Sequence, residues 1–137
     1  MSAEFEHTVQ ARLIAESPAA GTLTAALRYD GADPLAVRIV FPAAASLDGA
    51  EVAWVFARDL LQAGLRRPAG EGDVHVWPRG GAHVVIELVT QEGVAVVEFE
   101  SADLRRFLVR SYDAVPAGRE HRLLDLDSGL AALLRGV

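Results

Sequence analysis

Glu51–Pro78 reads EVAWVFARDLLQAGLRRPAGEGDVHVWP, and it holds both tryptophans of the chain. Glu51–Phe56 alternates, with Val52, Trp54 and Phe56 on one side and Glu51 and Ala53 on the other, the pattern of a half-buried strand. The period changes at Ala57. Leu60 and Leu61, with Asp59 ahead of them and Gly64 behind, predict a short helix that Gly64 caps. Leu65–Pro68 leaves the helix, Ala69–Gly72 reads as a loop, and Asp73–Trp77 is strand-like again. Strand, reversing helix, strand: the stretch describes scaffold, with Trp77 placed where it could anchor a contact.

The same alternation extends in both directions. Phe5–Ile14 puts Phe5, His7, Val9, Ala11 and Leu13 on one face. Thr22–Tyr29 follows a turn at Ser17–Gly21 and points Leu23, Ala25, Leu27 and Tyr29 inward. Asp30–Pro34 turns the chain into Leu35–Phe41, and Pro42–Ala50 forms a loop of small residues. Downstream, Pro78–Gly81 and Gln91–Gly93 read as hairpin turns around the strands His83–Thr90 and Val94–Phe99. Ser101 is a candidate cap for a helix with Leu104, Phe107, Leu108, Ser111 and Tyr112 on one arc. Arg106 and Arg110 lie opposite it and Arg105 at its border. Asp127 or Ser128 would cap a closing helix carrying Leu130, Leu133 and Leu134. The expected architecture is a single α+β domain over residues 1–137: two antiparallel β-meanders, of four and three strands, with helices packed on them.

Composition narrows the function. The chain of 137 residues is 51% hydrophobic, enough for one substantial core. No apolar run has the length of a membrane span, and the acidic, polar opening MSAEFEHTVQ is unlike a secretory signal. Cysteine is absent, which excludes disulfides, thiol catalysis and cysteine-ligated zinc, and is compatible with a reducing cytoplasm. The formal net charge of −6 opposes nucleic-acid binding, which depends on a basic surface. Every one of the 13 basic residues is arginine, the better cation for rigid bidentate contacts.

The search for chemistry finds little. Gly70-Glu71-Gly72-Asp73 lacks the phosphate-loop pattern and precedes a strand rather than opening a helix. His7, His75, His83 and His121 lack the spacing of a helical metal motif, so no metal or cofactor is expected. In a regular hairpin His83 would face Trp77 with His75 on the same side, a patch suited to a partner. Asp125 and Asp127 share a face but directly precede a helix, where capping is the ordinary role of an acid. No serine sits in a nucleophile elbow. No catalytic residue is assigned. The surface residues that suit an acidic partner or another subunit are Arg105, Arg106, Arg110, Arg119 and Arg122, with Trp77 as the apolar anchor.

Three blocks in order, AALRYDGADPLAVRIVF at Ala25–Phe41, the opening stretch, and VPAGREHRLLDLDSGLAALL at Val115–Leu134, resemble the SsgA-like sporulation and cell-division proteins of actinomycetes. The short chain is most similar to the SsgB type of that family. It departs from the family pattern at Leu35, where an aromatic is frequent, and at Ala53, where an acid is frequent. The resemblance implies a fold like that of the Whirly and mitochondrial guide-RNA-binding proteins, a homotrimer, and no catalytic residue. It also implies a cytoplasmic adaptor at division septa near the membrane. Its expected partners are the tubulin-like division protein FtsZ and an SsgA-type paralogue, and no small-molecule substrate is expected. Two other classes stay open: a single-stranded nucleic-acid module, since the implied fold occurs in such proteins, and a small enzyme using His75, His83 and an acidic residue.

Overall fold

A computed structural model describes residues 4–14, 21–42, 50–91 and 93–120. Alternation carries most of it. β1 (Glu4–Ile14) buries Phe5, Val9 and Ala11, and β2 (Thr22–Asp30) buries Ala25, Leu27 and Tyr29 on the same side. β3 (Ala36–Phe41) and β4 (Val52–Ala57) complete the first meander, with Val37 opposite Phe56 and Ile39 opposite Trp54 on the inner face. The turn between β2 and β3 is built by Asp30, whose side chain accepts the Ala32 N–H and whose carbonyl accepts that of Asp33, each at 2.9 Å.

α1 (Arg58–Gly64) leads to β5 (Ala69–Glu71), β6 (Val74–Arg79), β7 (His83–Thr90), β8 (Gly93–Glu100) and α2 (Ser101–Ala114). Among the described residues eight strands form one antiparallel sheet in the order β4-β3-β2-β1-β8-β7-β6-β5. The two meanders are fused where β1 meets β8, with Ala11 opposite Phe99 and Ile14 opposite Val96. The single short helix α1 links the two edge strands, and Trp54–Ala57 shares a groove with Glu71, Asp73 and Val74. The sheet is therefore curled into a half-barrel. Into its concave side α2 sends Leu104, Phe107 and Leu108; the Phe107 ring centroid is 5.6 Å from that of Phe5 and 5.7 Å from that of His7. Each large apolar side chain buried this way contributes about 1.5–3 kcal/mol.

Several expectations need correction. The second meander has four strands, because Ala69–Glu71 pairs with β6 although its sequence has no apolar alternation. Gly64 is not a left-handed cap: it ends the helix body, the cap is Leu65 in right-handed geometry, and a Cβ on Gly64 would fall 2.2 Å from Val76 Cγ1. The glycine is there for close approach of α1 to β6. Ser101 is the first residue of α2 rather than its cap, and its N–H donates to the Ala82 carbonyl at 2.8 Å. β6 continues through Pro78 to Arg79, so Gly80, with φ of 65°, starts the turn, and β3 begins at Ala36, one residue later than expected. The Ser17–Ala20 part of the first turn, most of the loop before β4, Glu92, His121, Arg122, Asp125, Asp127 and the expected closing helix lie outside the described residues.

Candidate partner-binding surface

One ionic cluster positions α2. Arg58, the first residue of α1, is 1% exposed, a rare state for arginine. Its Nη2 donates to Glu120 Oε1 at 2.6 Å and its Nη1 to the Ser111 carbonyl at 3.0 Å. The guanidinium also covers the Tyr112 ring at 4.0 Å and faces the Tyr29 ring at 5.2 Å. Ser111 lies in the last turn of α2 and its carbonyl also accepts the Val115 N–H at 2.9 Å, so Arg58 adds a second donor and a positive charge at the negative end of that helix. Glu120 Oε2 accepts the Gly118 N–H at 2.8 Å. Burial would raise the Glu120 pKa, but its own backbone N–H, Arg58 and the Gly118 N–H together hold it below the ordinary carboxylate value. Burial also pushes the Tyr29 and Tyr112 hydroxyls up. The Tyr29 hydroxyl donates to the Pro34 carbonyl at 2.9 Å. Arg58 Nε and the buried Tyr112 hydroxyl have no hydrogen-bond partner among the described residues, while the other polar groups of the cluster bond one another and backbone.

With α2 so fixed, its outward face carries Arg105, Arg106, Val109, Arg110 and Asp113, all exposed. Val109 is 61% exposed, an apolar centre within a cationic rim. Arg106 pairs with Asp103 one turn earlier, while Arg105 makes no ion pair among the described residues. The position expected at the border of the apolar arc is thus fully outside it. Arg110 differs from its neighbours. It folds back toward β1, its guanidinium 4.3 Å from the Phe5 ring centroid and its Nη1 3.1 Å from His7 Nε2. Only a neutral His7 can accept that bond, and burial, then Arg110, then Arg106, lowers the His7 pKa. Arg119 is exposed beyond the end of α2, its backbone N–H bonded to the Pro116 carbonyl at 3.0 Å.

Trp77 lies elsewhere. Val74 and Val76 point into the concave core, so His75, Trp77 and Arg79 occupy the opposite, convex face. Trp77 is half-buried in an interior strand rather than exposed at a strand end, and it sits opposite Val85, which is 1% exposed. His83 pairs with Arg79 rather than Trp77; the extra two residues of β6 shift the register but keep the histidine on the expected face. His75 Nδ1 stands 3.4 Å from Glu87 Oε1. Glu98 is shared between Arg79 at 3.3 Å and Arg12 at 3.8 Å. The fold therefore gathers Arg105, Arg106 and Arg110 on one helix and separates them from Trp77 by the thickness of the sheet.

Among the described residues no group of three or more histidine, aspartate or glutamate side chains could hold a metal ion. A groove of about 420 Å³ runs over one end of β1, β2 and β3, with Glu4, Glu6, Arg28, Asp33 and Arg38 along it and no histidine. His75 and His83 do not converge on it. No helix of the described residues is long and apolar enough to cross a membrane.

Residues 23–120 match the family described as Streptomyces sporulation and cell division protein, SsgA. The chain belongs to the SsgA family. It is 48% identical to the sporulation-specific cell division protein SsgB of Streptomyces coelicolor, over 90% of each chain. To its counterpart in Frankia casuarinae it is 43% identical, over 91% of this chain and 87% of the relative. Among solved structures it is similar to the SsgA-like sporulation-specific cell division protein of Thermobifida fusca, with a TM-score of 0.84, 37% identity and 96% of each chain covered. A structure of Streptomyces coelicolor SsgB, in which mutations correlate to longitudinal cell division during sporulation, superposes with a TM-score of 0.79 at 42% identity, over 90% of this chain and 97% of that one. A role in cell division follows from the family, and sporulation is the setting its relatives' names share.

Sequence reasoning missed Arg58 and Glu120. A usable signal was present: Arg58 precedes Leu61 by three positions, on the same helix face as the buried leucines. Glu120 carries no local signal, since its partner is 62 positions away.

Proposed function

We propose that the chain is a non-catalytic adaptor that helps position the division machinery, FtsZ in particular, at sporulation septa, working through protein contacts as a homotrimer and together with an SsgA-type paralogue. The observation that supports this most directly is near-full-length similarity to SsgB proteins, joined to an exposed helix face that carries Arg105, Arg106 and Val109, with Arg110 beside it folded toward β1. Trp77, Arg119 and Arg122 are further contact residues in this reading. Arginine around an apolar centre suits an acidic protein surface. Three copies of such a face would convert weak contacts with a filament into long residence. Any likeness to the Whirly fold adds an analogy of architecture only.

The test is Arg105→Glu with Arg106→Glu in the full chain, followed by septal recruitment of fluorescent FtsZ in sporulating cells. Arg110 is left in place because its contacts to Phe5 and His7 are internal. Folded variant protein with lost recruitment supports the reading; folded variant protein with normal recruitment removes the α2 face from it.

A further inference from the structure

The two edges of the curled sheet are guarded unequally. β5 is only three residues long, and short edge strands resist unwanted pairing. β4 has six residues, VAWVFA, with no charge, no proline and no glycine. Among the described residues no strand lies beside it on the side away from β3, so the outward backbone groups of Val52–Ala57 have no described strand partner. Val52 is 36% and Val55 51% exposed, and Trp54 is only half-buried. Nothing within β4 discourages another strand from adding to it.

The surroundings choose among occupants. On the concave side, Trp54, Phe56 and Val74 share a groove of about 310 Å³ with Glu71 and Asp73. Glu71 and Asp73 are both exposed, as is Glu51 at the start of β4. The chain carries a net charge of −6, and the exposed Glu71 and Asp73 beside the groove oppose an acidic occupant, a second copy of this chain included. A basic segment meets no such opposition. In an added strand, alternate side chains would face the groove, where an arginine can cover Trp54 and reach Glu71 or Asp73. The intervening side chains would lie beside Val55 on the convex face, where apolar residues fit.

We infer that β4 is a docking edge for an extended partner segment that alternates apolar and basic residues, paired to it as a ninth strand. This rests on the adaptor reading only in taking the occupant to be part of a protein. It uses a surface separate from the arginines of α2.

The test uses the full chain and two acetylated peptides of about eight residues, enough at about 3.3 Å per residue to run along the whole of β4. One alternates valine with arginine, the other valine with glutamate. The expected result is that the arginine peptide binds and slows amide hydrogen exchange across Val52–Ala57. The glutamate peptide should bind at least about tenfold more weakly, and Glu71→Lys with Asp73→Lys should reverse the preference. The inference is overturned if the arginine peptide leaves β4 exchange unchanged, or if both peptides bind equally. It is also overturned if protection of β4 rises with protein concentration alone, which would seat a second copy there. Recruitment of FtsZ by the Arg105→Glu/Arg106→Glu variant reads the adaptor proposal independently, so either can fail alone.

Discussion

Arg58 and Glu120, 62 positions apart, meet through a 2.6 Å bond with side chains 1% and 7% exposed. The pair joins the start of α1 to the segment after α2, and Arg58 also donates to the Ser111 carbonyl in the last turn of α2. A buried pair is weak support for stability in itself, since desolvation offsets much of the attraction, but breaking it strands a charge.

Replacing Arg58 with alanine is therefore expected to destabilise the fold by about 3–5 kcal/mol, measured by urea denaturation. A double-mutant cycle with Glu120→Ala should show coupling of at least about 1 kcal/mol. Independent, additive losses would assign the cost to lost packing over Tyr29 and Tyr112 instead.

Acid should weaken the same contact. The Glu120 pKa is held below its ordinary value of 4.5 in the folded state, so the unfolded chain binds the proton more readily. Its contribution is complete above about pH 4.5 and is lost as pH falls through the lower folded value. Denaturation at stepped pH should show this loss, and Glu120→Gln should flatten the curve in that window.

His7 predicts a second pH dependence, nearer neutrality. Its folded pKa lies below the ordinary 6.5, with burial the first cause and Arg110 the next. The folded state resists protonation, so stability falls as pH drops below about 6.5 and levels off under the folded value. Arg110→Gln removes both the charge and part of the cover over Phe5. The His7 pKa, followed by NMR titration, should rise, and the pH dependence of stability in this range should shrink.

Gly64→Ala should cost about 1–3 kcal/mol, because the new methyl meets Val76 at the closest approach of α1 to β6. Thermal unfolding checks it. Gly80→Ala provides a contrast: a Cβ there meets no atom within 4 Å, so its cost comes from φ of 65° alone.

Reading the sequence reached the strands more easily than the contacts among them. Phe5 to Leu13 and Leu23 to Tyr29 alternate cleanly because one face is buried, and their inward faces are as expected; in β4, at the sheet edge, Trp54 and Phe56 meet the core as expected but Val52 is 36% exposed. Ala69–Glu71 escaped notice because a three-residue strand with a central glycine has no period to detect; its partner β6 makes it a strand. The place of His83 depended on where the turn began, which Pro78 obscured by fitting into a strand. At the candidate surface, exposure of Arg106 was legible from the helical wheel, whereas Arg105, expected at the border of the apolar arc, is exposed. The inward fold of Arg110 was not legible, since Phe5 and His7 stand more than 100 positions away. Burial of Arg58 likewise depends on distant partners, Ser111 and Glu120, 53 and 62 positions away.

Ala11 facing Phe99 places the seam of the sheet between its earliest strand and its latest. During synthesis on the ribosome, β1 through β4 can associate as they emerge, while the flank of β1 stays open until β8 has been made. The nascent first half thus carries a temporary exposed border, and the slow, long-range step of folding is the joining of that border to the finished second half.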